Sequence, residues 1–164
     1  MATTPEKKLG DLLEDFGVAM LGTRTAEGEL RARPMALAEV EAEGTLWFAT
    51  DRHSGKLNEL AHDNHAVVVM QSSTKFVSLS GTATPVEDRE RVARLWKAEW
   101  KVWFPEGRDD PNLVFLRVDG HTGEYWDNSG PHGVKYLVEV GKALVTGTRP
   151  EVGGDPKMHG KVDL

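Results

Sequence analysis

Apolar residues recur along this chain with two periods, and the switches between them mark its elements. Leu9, Leu12, Leu13 and Phe16 stand at helical spacing. Thr4 is placed to cap that helix, Pro5 suits its first position and Gly17 ends it. Residues 18–23 then read as a strand, Ala26-Glu27-Gly28-Glu29 as a turn in which Gly28 can take positive φ, and 30–40 as the returning strand of a hairpin. Strands follow at 45–50, 66–71 and 76–86, with a short helix over 54–63 that Ser54 would cap. Pro85 confines the 76–86 strand to an edge or an end. Residues 88–104 give the clearest helix, because Val92, Leu95, Trp96, Trp100 and Trp103 fall on one stripe before Pro105-Glu106-Gly107 stops it. Two closing strands are expected at 113–118 and 124–126, and a last helix at 134–146.

This is about six or seven short strands in mostly antiparallel order with helices inserted between them. The alternation is too irregular for a doubly wound sheet, and the hairpin turns favour a barrel of mainly β, α+β type. The length of 164 residues suits one domain over 1–164, with a helical segment in 1–17 and an extended or mobile tail over 148–164. No internal repeat or low-complexity segment interrupts the pattern.

Composition narrows the chemistry. There is no cysteine, so disulfides, thiolate metal sites and cysteine nucleophiles are excluded together. No window approaches the ~20 apolar residues of a membrane helix. The N-terminus lacks a basic region followed by an apolar stretch, and a cytoplasmic, non-membrane protein is expected. The formal net charge is −6 and no basic stripe is present, which argues against nucleic acid. The six histidines form no metal-ligand pattern, and no metal is expected. Ser72-Ser73-Thr74-Lys75 matches a Ser-x-x-Lys nucleophile motif without its companions and reads as a polar turn.

The region from Arg31 to Lys56 carries most of the candidate chemistry. Arg31 and Arg33 share one face of a strand, and Pro34 removes a backbone donor in mid-strand, pointing to an edge, a bulge or a nearby ligand. Thr50 ends the next strand, and Ser54, Gly55 and Lys56 open a helix. Hydroxyls, helix N-terminal amides and an ammonium together suit a phosphate. Taken alone, the same turn is also an ordinary strand-to-helix connection. Trp96 and Trp100 read as packing, whereas Trp126 is placed either to pack or to cover a flat ring.

Arg33-Pro34-Met35, Thr45-Leu46-Trp47-Phe48-Ala49-Thr50 and Ser54-x-Lys56, in this order, resemble the pyridoxamine 5′-phosphate oxidase-like split-barrel family, in particular its general stress protein 26 branch. Val77-Ser78-Leu79-Ser80-Gly81-Thr82-Ala83, Trp103-Phe104-Pro105, Glu124-Tyr125-Trp126-Asp127 and the final Gly160-Lys161-Val162-Asp163-Leu164 extend the resemblance. It implies a six-stranded antiparallel split β-barrel and a homodimer with FMN at the subunit interface. Arg33, Pro34 and Met35 would face the flavin ring, Ala49 and Thr50 would line the ribityl and phosphate path, and Ser54, Gly55 and Lys56 would hold the phosphate. Trp126 would approach from the partner subunit. The Arg-x-His substrate motif of true pyridoxamine-phosphate oxidases is absent, and Phe76 stands where those oxidases often carry glutamine, so vitamin B6 oxidation is not expected. A flavin-dependent oxidoreductase on an unknown small substrate is the leading reading, with no catalytic residue of the protein's own. A deazaflavin F420 or haem site in the same fold, or a cofactor-free dimerisation module, are the alternatives.

Overall fold

The computed structural model describes residues 3–149 and 155–164. Four helices and seven strands follow in the order α1 (Pro5–Glu14), β1 (Val18–Arg24), β2 (Leu30–Glu41), β3 (Thr45–Asp51), α2 (Gly55–His62), β4 (His65–Gln71), β5 (Lys75–Val86), α3 (Arg89–Leu95), β6 (Leu113–Asp127), α4 (Gly130–Thr146) and β7 (His159–Asp163). The strands pair antiparallel in the order β3-β2-β1-β4-β5-β6, and a β3–β6 pairing closes them into a six-stranded barrel. Closure leaves no free edge along the ring. Among the described residues no helix is long and apolar enough to cross a membrane.

The barrel fills from both hairpin faces and from one end. Leu21, Leu46, Phe48, Val68, Leu79 and Val118 point inward and are buried, while α1 contributes Leu9, Leu12 and Leu13 to the same core. Thr4 caps α1 through its hydroxyl, which accepts the Lys7 N–H at 3.3 Å. A second cluster lies outside the ring, where Trp47, Trp100, Phe104 and Phe115 pack with Val92 of α3. Alternation along β3 is what divides Phe48 and Trp47 between the two clusters. Arg91 lies 3.7 Å over the Trp47 ring and also pairs with Glu41 at 2.8 Å, which ties α3 to β2 and β3.

Two expectations are corrected. The stretch 88–104 is not one helix. α3 stops at Leu95, Trp96 takes extended backbone (ψ 130°), and a 3₁₀ turn covers Ala98–Val102. An unbroken helix would put Trp96, Trp100 and Trp103 on one face. The break instead buries Trp100 edge-on between Trp96 and Phe115 and sends Trp103 to the surface. The two closing strands are one, β6, whose first half pairs with β3 and whose second half pairs with β7. Its polar middle, Asp119 to Thr122, hides the continuity in the sequence. The register against β5 shifts beside Gly81, where a Cβ would meet the Asp119 carbonyl oxygen at 1.9 Å. Of the tail expected to be extended or mobile over 148–164, residues 150–154 lie outside the described residues, while His159–Asp163 forms the extended strand β7 and Tyr125, fully buried, donates its hydroxyl proton to the Pro156 carbonyl.

Pro34 sits where a proline costs little. Leu37 donates its N–H to Gly17 on the β1 side. By the alternation of an antiparallel ladder, the Pro34 nitrogen therefore points the other way. On that side the pairing to β3 begins only at Leu37 and is shifted between Leu37 and Glu39. The gap so left beside β2 is the mouth of a cleft.

Candidate functional site

The cleft, of about 390 Å³, is built from three stretches of chain. Pro34, Met35 and Ala36 of β2 form one wall, and Ala49, Thr50 and Asp51 at the end of β3 form the floor. Trp100, Trp103 and Phe104 close the far side, with Lys56 of α2 at one end. The volume falls within the range of small-ligand sites.

The polar end is assembled by a strand ending and a helix beginning. Asp51 accepts the His53 N–H at 2.7 Å and fixes the turn, so that Ser54 occupies the N-cap of α2. The Ser54 hydroxyl does not cap the helix. It accepts instead from the Lys56 ammonium at 2.5 Å, and the Thr50 hydroxyl accepts from the same ammonium at 3.0 Å. Among the described residues no carboxylate pairs with Lys56 within 4.0 Å. Burial lowers its pKa below the usual lysine value, and the positive charge of Arg33 pushes the same way against weaker pulls from Asp51 and Glu59. A half-buried ammonium held by hydroxyls, beside the open first turn of a helix, has the chemistry that suits an anion. The rest of the lining is apolar and aromatic, which suits a flat, uncharged body attached to that anion.

Pro34, Met35, Ala49, Thr50 and Lys56 are thus brought together, and Ser54 joins them through Lys56. Gly55 opens α2 without lining the cleft. Arg33 lies behind it, where its guanidinium donates to Glu59 at 2.7 Å and to the Thr23 hydroxyl at 2.5 Å. Trp126 lies elsewhere, on the outer face of β5 and β6, stacked on His159 at 5.3 Å and opposite Phe76. Trp100, Trp103, Phe104 and Asp51 were not legible as site residues. The run of aromatics before Pro105 was the available signal, but helical spacing assigned it to packing. A larger hollow, about 600 Å³, lies over Gly22, Ala32 and Val67 on the outer sheet face. Its arginines are committed, Arg24 to Asp63 at 3.6 Å and Arg31 to Glu59 at 3.4 Å, which leaves the smaller cleft as the better candidate.

Comparison with known proteins agrees with this fold. A family model described as pyridoxamine 5′-phosphate oxidase like matches residues 4–151. Protein bli-3 of Neurospora crassa is 32 % identical over 157 residues, covering 87 % of this chain and 75 % of that protein. A crystal structure from Jannaschia sp. CCS1, given as a candidate general stress protein 26, superposes with a TM-score of 0.72 at 27 % identity over 96 % of each chain. The general stress FMN/FAD binding protein of Xanthomonas citri superposes with a TM-score of 0.64 at 28 % identity, over 76 % of this chain and 89 % of that one.

Proposed function

The chain belongs to the pyridoxamine 5′-phosphate oxidase-like family, and from that premise we propose that it is a cytoplasmic FMN-binding flavoprotein that works as a homodimer. Lys56, Thr50, Ser54 and the first amides of α2, from Gly55, hold the phosphate. Ala49 lines the ribityl path, and the ring lies along Pro34 and Met35, facing Trp103. Arg33 acts from behind, where its bond to Glu59 fixes β2 against α2. A second chain brings its own Trp126 to the exposed side of the ring. When bound, FMN would supply hydride or electron transfer to an unidentified small substrate, and the protein supplies binding, orientation and exclusion of water.

The observation that carries this reading is the Lys56 ammonium at the end of an aromatic cleft, hydrogen-bonded to two hydroxyls and, among the described residues, to no carboxylate. A phosphate would complete it. Among the described residues no histidine, the commonest axial ligand of haem, lines the cleft. The fitting experiment is the visible spectrum of the purified protein before and after added FMN. Flavin bands that stay with the protein through gel filtration support the proposal, and free FMN eluting apart from colourless protein rejects it.

A further inference from the structure

α4 is the one helix whose apolar face has nothing on it among the described residues. Val134, Leu137, Val138, Leu144 and Val145 recur at i, i+3, i+4, i+10 and i+11, a single stripe along the helix. All five are exposed, Leu144 by 81 % and Val145 by 87 %. The half-buried residues Tyr136, Val140 and Ala143 lie on the other side, so the helix turns its less apolar face toward its own chain. With 17 residues it is about 25 Å long, and its contacts with the other elements are marginal.

Gly141 stands at i+7, in the middle of the stripe, and nothing lies within 4 Å of where its Cβ would be. A glycine inside a helix costs roughly 1 kcal/mol relative to alanine. Among the described residues nothing requires one at this position. A missing side chain at the centre of an exposed apolar stripe is what the close approach of a second helix would require.

The available area identifies the occupant. The five stripe residues expose on the order of 500 Å², against about 800 Å² that each chain buries in a stable complex. The stripe begins eight residues beyond Trp126, and Trp126, Phe76, Val69, Val67, Met20 and Val18, carried on the adjacent strands β6, β5, β4 and β1, form a second set of exposed apolar residues on the outer barrel face. Together the two patches reach the area of a standard interface. Each alone falls short of it. We infer that the apolar stripe of α4 docks on a second copy of this chain, with Gly141 at the closest approach, and so supplies the grip that the barrel face lacks. The inference rests on the pairing of chains proposed above and not on the flavin.

The test uses the full chain, with sedimentation equilibrium for the dimer dissociation constant, circular dichroism for helix content and the visible spectrum read on the same samples. One variant carries Leu137→Glu with Leu144→Glu. The other is Gly141→Leu, which favours the helix intrinsically but fills the gap. The expected wild type is a dimer of 18.1 kDa chains. The double variant should weaken it by about a hundredfold or more, and Gly141→Leu by about tenfold, with helix content kept. A wild type monomeric at about 100 μM overturns the inference, as does either variant pairing as tightly as wild type. Monomers that bind phosphatidylglycerol vesicles through the stripe overturn it too. A colourless dimer that both variants weaken keeps the inference and removes the flavin reading. A yellow dimer that neither variant weakens does the reverse.

Discussion

Arg33 of β2 and Glu59 of α2 are joined at 2.7 Å, directly behind the cleft, and the Thr23 hydroxyl from β1 completes the contact at 2.5 Å. Three elements are thereby pinned at the point from which Lys56 reaches forward. The Thr23 hydroxyl first, and Arg33 second, hold the Glu59 pKa below its ordinary value of 4.5. A carboxylate lowered by folding stabilises the protein fully above its unfolded pKa and loses that contribution as pH falls through its folded one. Urea unfolding at pH 7 and pH 4 should show Glu59→Gln less stable than wild type at pH 7, by about 2 kcal/mol. The gap should narrow as pH falls below about 4.5. A gap that is constant with pH would contradict the assignment.

The same logic with the opposite sign applies to Lys56. Burial, then Arg33, lowers its pKa in the free protein. A bound phosphate would raise it again. FMN affinity is then full below the free-protein pKa of Lys56 and falls as pH rises from there toward the bound-state pKa. Titrations from pH 7 to 10.5 should show that decline, and Lys56→Gln should remove it.

Trp100 and Trp103 are neighbours in the 3₁₀ region with opposite fates. Trp100 is 2 % exposed and Trp103 66 %. Trp100→Ala should cost about 3–5 kcal/mol of stability by emptying the outer core. Trp103→Ala should leave stability nearly unchanged and weaken FMN about threefold to tenfold, the worth of one aromatic stacking contact. Thermal denaturation and flavin titration of the two variants separate the roles.

Much of the framework was readable from the sequence because its signals are local. Thr4-Pro5, the turn at Gly28 and the strand of Phe48 each declare themselves within a few residues. The polar end of the cleft did so too, since Thr50, Ser54 and Lys56 lie within one strand-to-helix turn. Arg33 did not, because its partner Glu59 is 26 residues away and alternation gives a side chain's face but not its contact. The break at Trp96 was invisible because the spacing of the tryptophans is helical, and packing against Phe115 overrode it. The unity of β6 was hidden by Gly120 and its polar neighbours, which look like a turn until β5 supplies the pairing.

Gly81 gives a stability prediction independent of any ligand. A side chain there would drive into the Asp119 carbonyl, a backbone atom that cannot turn aside. Gly81→Ala should cost about 3 kcal/mol or more and lower Tm by roughly 10 °C. Gly10→Ala, with open space around the position, should be neutral or stabilising.

The most direct test of the phosphate site compares FMN with riboflavin, which lacks the phosphate, on wild type and Lys56→Gln. Isothermal titration should give wild type a preference for FMN of about a hundredfold or more, the worth of charge-assisted bonds to a phosphate. In Lys56→Gln that preference should shrink at least tenfold while riboflavin affinity stays put. Equal affinity of wild type for both ligands, or a preference untouched by the substitution, would contradict the account.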